Sequence, residues 1–159
     1  MNSFHYHRAN SLSEAAQRLS ANDQARLLAG GMTLIPSLKH RLLAVSELID
    51  VARLPDLQEI RVDTTAVWVG AAVRHHQVAS HADLARAQPA LAELAGLIGD
   101  PQVRSRGTLG GSIANNDPAA DYPAAVLALG ATVVTTQREI AADDFFLGMF
   151  TTALEPGEV

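Results

Sequence analysis

The spacing of apolar and polar positions changes period several times along this chain, and each change predicts an element. Residues 3–8, SFHYHR, alternate aromatic and polar side chains and predict a short strand. In SLSEAAQRLSAN the period lengthens. Leu12, Ala15, Ala16 and Leu19 fall at i, i+3, i+4 and i+7, one apolar stripe of a helix. Ser11 is placed to cap that helix and Glu14 to return the bond three residues on, a capping box. ARLLAGG (25–31) predicts a strand running into a glycine pair. MTLIPSLKHRL predicts a short helix or turn, and SELIDV (46–51) another strand. The first third therefore predicts β-α-β-turn-β, a small α/β lobe.

Pro55 marks a candidate boundary, dividing the chain into 1–54 and 55–159. Past it, EIRVD and VWVGAAV predict two strands joined by TTA, most simply an antiparallel pair. RHHQVASHADLARA predicts a surface-lying helix. QPALAELAGLIGD predicts a buried one, with Pro89 at its first position, Leu91, Leu94, Ala95 and Ile98 as its stripe and Gly99 as its stop. A glycine-rich segment follows. DYPAAVLALGA then predicts a helix between Pro123 and Gly130, TVVTT a strand and DDFFLG a short helix. The terminal TALEPGEV is turn-like. Val159 reads as the start of a further strand, so a shortened chain is expected.

Composition narrows the function. With 12 basic and 17 acidic residues the net charge is −5. That disfavours a nucleic-acid partner, which needs a basic face. There are no cysteines, so disulfides, thiolate nucleophiles and cysteine-held iron–sulfur clusters are excluded within this chain. No apolar run reaches the roughly 18 residues of a membrane span, and the N-terminus lacks the apolar core of a signal peptide. The expectation is a cytoplasmic protein.

Two glycine pairs stand out, AGGMT (29–33) and TLGGS (108–112), each with nearby hydroxyl residues: Thr33 for the first, Thr108 and Ser112 for the second. Glycine pairs let a backbone reach positive φ, and consecutive N–H groups can then form a concave anion site. Two such segments could grip adjacent phosphates from opposite sides. A P-loop would need Gly before Lys, and a Rossmann turn would need G-x-G-x-x-G; neither spacing is present. Tight turns without a ligand remain the alternative.

These segments resemble the FAD-binding medium subunit of the molybdenum hydroxylases, the group that includes xanthine, carbon monoxide, nicotinate and aldehyde dehydrogenases. The resemblance is collinear over the whole chain. FHYHRANSLSEAAQRLS is similar to that family's opening strand and helix, and LLAGGMTLIPSLKHRL to its first flavin loop. PQVRSRGTLGGSIANNDPAADYPAAVLALGA is similar to its second flavin loop, and TALEPGE to the link toward its C-terminal domain. The resemblance implies an α+β fold, a two-lobed PCMH-type FAD-binding domain with a small α/β lobe and a larger lobe of mainly antiparallel sheet. It also implies a missing C-terminal domain.

By position, Ala29, Gly30, Gly31, Met32, Thr33 and Leu34 would line FAD through the first loop. Thr108, Leu109, Gly110, Gly111 and Ser112 would form the second clamp, and Asp121 would reach the adenosine end. Ile98, Asn115 and Asn116 match positions near the flavin more weakly. The first loop carries Met32 and no histidine, so non-covalent FAD is expected. The family further implies an electron-transfer subunit. Its partners would be an iron–sulfur small subunit and a molybdopterin large subunit, and its acceptor NAD, a quinone or oxygen. Two other readings stay open: an assembly module that no longer holds FAD, and a stand-alone FAD-dependent reductase. No catalytic acid, base, nucleophile or metal ligand is expected here.

Plainer roles compete for several residues. Asp117 and Asp121 could be N-caps. His5, His7, His75 and His76 read as exposed or edge-strand histidines, Trp68 as packing, and Arg104 and Arg106 as either anion contacts or solvated turn residues.

Overall fold

The computed structural model describes residues 1–159. Its first strand, β1 (His5–Arg8), leads into α1 (Leu12–Ala21), β2 (Ala25–Leu28), α2 (Leu34–Lys39) and β3 (Glu47–Asp50). The three strands form one parallel sheet in the order β1-β3-β2. Side chains alternate across a strand, and β3 uses both faces. Ile49 joins Ala15 and Ala25 in one buried cluster, while Leu48 joins Leu38 and Val45 in another. Both faces of this small sheet are thus covered, as a parallel sheet requires.

The capping box at α1 is only half formed. Ser11 Oγ accepts the Glu14 N–H at 3.1 Å, but the Glu14 carboxylate accepts from the Asn10 N–H (2.8 Å) and from His7 Nε2 (2.6 Å). The Asn10 amide and the His7 ring on β1 thus occupy the carboxylate that a full box would return to the Ser11 N–H.

After a single 3₁₀ turn at Pro55–Leu57, β4 (Ile60–Val62) and β5 (Val67–Val69) pair antiparallel. Trp68 is not a core residue: it is 44% exposed, with the Arg61 guanidinium over its ring at 5.2 Å. Then come α3 (His75–Ser80), α4 (Ala82–Ala87), α5 (Pro89–Leu97), α6 (Pro101–Arg106), α7 (Leu109–Asn115) and α8 (Tyr122–Ala128). The 74–87 segment is not surface-lying. It splits into two helices that bury His75, Val78 and Leu84 against the same cluster as Leu91 and Ala95.

α8 stops in a Schellman turn. Gly130 lies at φ +56°, its N–H bonds the Leu127 carbonyl (3.0 Å), and the Ala131 N–H bonds that of Val126 (3.1 Å). β6 (Thr132–Val134) pairs with β7 (Glu139–Ala141), a strand the sequence pattern did not reveal. The DDFFLG stretch is helical only as far as α9 (Ala142–Phe145). It continues as β8 (Phe146–Gly148), paired with β9 (Thr151–Thr152). The antiparallel strands are thus three two-stranded ribbons rather than one sheet.

The last residues return to the first helix. A side chain at Gly157 would meet Ser20 of α1, and Val159 packs against the Ala15–Ile49 cluster. Glu158 holds this return in place. Its carboxylate accepts from Arg138 Nε (2.9 Å), Thr135 Oγ1 (2.8 Å) and the Glu155 N–H (2.7 Å). The Arg138 bond foremost holds its carboxyl down to about 2, despite burial.

Candidate functional site

The first glycine pair rests on the turn just ahead of the second, Arg106–Gly107. A side chain at Gly30 would collide with the Arg106 carbonyl and come within 2.8 Å of Gly107 Cα. The chain between β2 and α2 is therefore seated directly on the turn between α6 and α7.

The first turn is open. Gly31 sits at φ +74°, a conformation L side chains rarely adopt. The N–H groups of Gly30, Gly31, Met32 and Thr33 donate to no acceptor within the chain. Ala29 packs on the sheet core and Leu34 on the Leu38 cluster, fixing the turn at both ends. Met32 and Thr33 are exposed, and the Thr33 hydroxyl makes no capping bond to α2. A run of unpaired N–H groups beside a free hydroxyl can cradle an anion.

The second segment differs from the expected positive-φ loop. Gly110 and Gly111 have no positive φ and lie in the first turn of α7. Their N–H groups are already committed. Leu109 bonds the Val73 carbonyl (3.0 Å), Gly110 that of Ala71 (2.9 Å), Gly111 bonds Thr108 Oγ1 (3.1 Å), and Ser112 the Thr108 carbonyl (3.0 Å). Thr108 is the buried N-cap of α7, and Leu109 and Gly110 are buried as well. A side chain at Gly110 would strike Ala71, whose Cα and carbonyl oxygen lie 2.7 Å from a Cβ placed there. Gly111 is exposed and Ser112 half-buried. What is exposed here is Gly111, with Ser112 half-buried beside it, and no backbone N–H of 109–112 is free.

Asp121 lies at the start of α8, which packs on α7. Its exposed carboxylate makes no capping bond, so it is free for another partner. Asp117 caps no helix but closes a local turn, accepting the Ala119 N–H at 2.9 Å. Arg104 is a structural staple: Nη1 donates to the Ile98 carbonyl at the end of α5 (2.6 Å). Arg106 is exposed. Asn115 ends α7. Asn116, in the left-handed region (φ 44°), donates to the Gly148 and Thr151 carbonyls at 2.7 and 3.0 Å and so ties the β8–β9 hairpin to α7.

His75 is the residue the sequence pattern misplaced. It is buried, not exposed, and its ring lies against Gly107 and Tyr122. Its place under a glycine was the missing signal, and the chain order does not show it. His7 lies between Glu14 and Arg18, while His5 is exposed.

The turn after the three-stranded parallel sheet is thus brought against the turn that leads into α7. The sequence profile described as the FAD binding domain in molybdopterin dehydrogenase matches residues 2–159. The chain belongs to that family. It is 41% identical over 160 residues to the glyceraldehyde dehydrogenase medium chain of Sulfolobus acidocaldarius, covering 98% of this chain and 57% of that one. It is also 41% identical to the carbon monoxide dehydrogenase medium chain of Afipia carboxidovorans, covering 99% and 56%. The solved carbon monoxide dehydrogenase of Hydrogenophaga pseudoflava superposes with a TM-score of 0.97 at 42% identity, covering 99% of this chain and 57% of that one. Quinoline 2-oxidoreductase of Pseudomonas putida does so at 0.96 and 36%, covering 99% and 57%. The chain thus spans a little over half the length of these relatives.

FAD is the family's cofactor, and the site's chemistry suits it. A diphosphate needs donors without a side chain in the way, which the Gly30–Thr33 run offers. No helix is long and apolar enough to cross a membrane.

Proposed function

We propose that this chain is the FAD-carrying part of the medium subunit of a molybdenum-containing hydroxylase or dehydrogenase. It divides into a lobe of residues 1–54 and a second of 55–159. The separate buried clusters on either side of Pro55 support that division. Ala29, Gly30, Gly31, Met32, Thr33 and Leu34 hold FAD from the first lobe. Thr108, Leu109, Gly110, Gly111 and Ser112 hold it from the second, Asp121 reaches its adenosine end, and the attachment is non-covalent.

The carrying observation is the run of four N–H groups without an acceptor, seated on a turn that presents no side chain. The residues here bind and orient; they supply no acid, base or nucleophile. Bound FAD would supply the redox chemistry, between an iron–sulfur partner relaying electrons from a molybdopterin partner and an acceptor such as NAD⁺, a quinone or oxygen. The "medium chain" names of the relatives support that assembly.

The test is reconstitution of the purified chain with FAD, followed by its absorbance spectrum and thermal unfolding. A yellow complex with a raised melting point is expected. A colourless protein with an unchanged melt would leave an assembly module instead.

A further inference from the structure

His75 opens α3, and its side chain is enclosed, with the residue 5% exposed. Its backbone N–H donates to the Gly107 carbonyl at 3.0 Å, in line with the bonds from Leu109 and Gly110 to Val73 and Ala71. Residues 71–75 therefore splint the second glycine turn. The imidazole fills the space a side chain at 107 would need. A Cβ there would strike Nε2 and come within 2.8 Å of Cδ2. The Tyr122 ring also lies against the imidazole, centroids 5.2 Å apart and tilted by 42°. Tyr122 is fully buried and directly follows Asp121. One ring thus touches the second glycine turn, and the next anchors the segment that carries Asp121.

Shape alone does not explain the pair. His75 Nδ1 and the Tyr122 hydroxyl are both enclosed with no hydrogen-bond partner in the chain. Phenylalanine at either place would fill the space without burying an unpaired polar atom. We propose that His75, wedged between Gly107 and Tyr122, is a positioning residue for the flavin: its neutral ring holds the 107–112 turn and Asp121 at a fixed separation, and a proton on the ring releases that hold. This rests on reading Thr108–Ser112 and Asp121 as flavin contacts.

The surroundings give a cationic ring no support. Arg74 and His76 on its own segment, Arg106 on α6, Glu93 on α5, the Asp83–Arg86 pair on α4 and Asp121 on α8 are all exposed. Arg104 is half-buried and bonded to the Ile98 carbonyl. Tyr122 is the buried titratable neighbour, and burial pushes its hydroxyl pKa up, keeping it neutral. Desolvation pushes His75 from 6.5 down to about 4. A base depressed in this way binds fewer protons in the closed form than in the opened one. Closure is therefore complete above the free value and weakens as pH falls from about 6.5 toward 4.

The test titrates the full chain with FAD at about pH 7.5 and about pH 5, following flavin fluorescence, for wild type, H76A and H75F. Wild type should lose on the order of tenfold in affinity at the lower pH, and H76A should match it. H75F keeps a ring and lacks the proton site. It should bind like wild type at the higher pH and lose less than about twofold at the lower. Should H75F fail to fold, carbon NMR of the wild-type imidazoles decides the matter, because linkage requires His75 to titrate at lower pH with FAD than without it. Equal titration in both forms, or an acid loss that H75F retains, overturns the proposal. A chain that takes no FAD at either pH sinks the clamp reading and this one with it. FAD held equally at both sinks the His75 reading alone.

Discussion

In the first glycine turn the backbone swings to φ +74° at Gly31, and the N–H groups from Gly30 to Thr33 have no acceptor in the chain. In the second, the N–H groups from Leu109 to Ser112 are all bonded, and the glycines sit in an ordinary helical turn. Two segments that look interchangeable in sequence are thus complementary in structure. One offers donors; Ala29 and Leu34 fix its ends, and Gly30 rests on the Arg106–Gly107 backbone. The other is a wall, splinted by residues 71–75, whose preceding turn at Arg106–Gly107 meets Gly30. A glycine therefore does different things in the two places. At Gly31 it permits a turn, at Gly30 and Gly110 it permits close approach of backbone, and at Gly111 it leaves a surface bare.

The contact between the turns is the place to break this arrangement hardest. Gly30→Ala places a methyl into the Arg106 carbonyl, and Gly110→Ala places one into Ala71. Neither obstacle is a movable side-chain tip, so each change should cost about 3 kcal/mol, the upper end for overpacking. Gly31→Ala meets Ile35 and Leu28 side chains at 3.0 and 3.1 Å and keeps a positive φ; it should cost about 1–2 kcal/mol. Urea unfolding midpoints measure all three. If Gly30→Ala unfolds with wild type, the turns are not locked together.

Much of this was legible in the sequence, for reasons that also mark where reading stopped. Period-two and helical stripes found α1, β4, β5 and α5 because each sets one apolar face against a buried cluster. The elements that failed depend on distant partners. α3 looks polar in RHHQVAS, yet its histidine is buried because Gly107 and Tyr122 close over it. β7 offers one apolar residue to the core, Ile140, and β9 is two threonines, so neither sets an apolar alternation. The glycine pairs stood out as a candidate site, but their structural difference did not show. Whether an N–H is free depends on carbonyls such as those of Ala71 and Val73, which lie far away in the chain.

Gly111 separates the wall's two duties. It occupies the third position of α7 at an ordinary helical conformation, where alanine is favoured over glycine by roughly 1 kcal/mol. An added Cβ would meet Thr108 Oγ1 at 2.8 Å and disturb that cap, a loss of about the same size. Gly111→Ala should therefore leave stability within about 0.5 kcal/mol of wild type, because the two effects offset. FAD affinity should still fall by about tenfold, because the methyl stands on the bare surface. Calorimetric melting of the apo chain, beside fluorescence titration with FAD, reads both. Full affinity in a stable Gly111→Ala chain would mean that the wall does not meet the ligand.

The hydroxyls give the finest division between the turns. Thr108 caps α7 through a buried Oγ1, whereas Thr33 is exposed and caps nothing. Thr108→Val should lower stability by about 1 kcal/mol, the usual cost of losing an N-cap. Thr33→Val should change stability by no more than about 0.5 kcal/mol, as for surface sites generally. Affinity should run the other way. Loss of one neutral hydrogen bond to FAD costs about 0.5–1.5 kcal/mol, so Thr33→Val should weaken binding roughly two- to tenfold. The two variants measured in the same pair of assays should thus exchange rank between stability and affinity. Losses of stability and affinity that rise together in both would show that the turns share one structural role, and the distinction between an open donor turn and a closed wall would not hold.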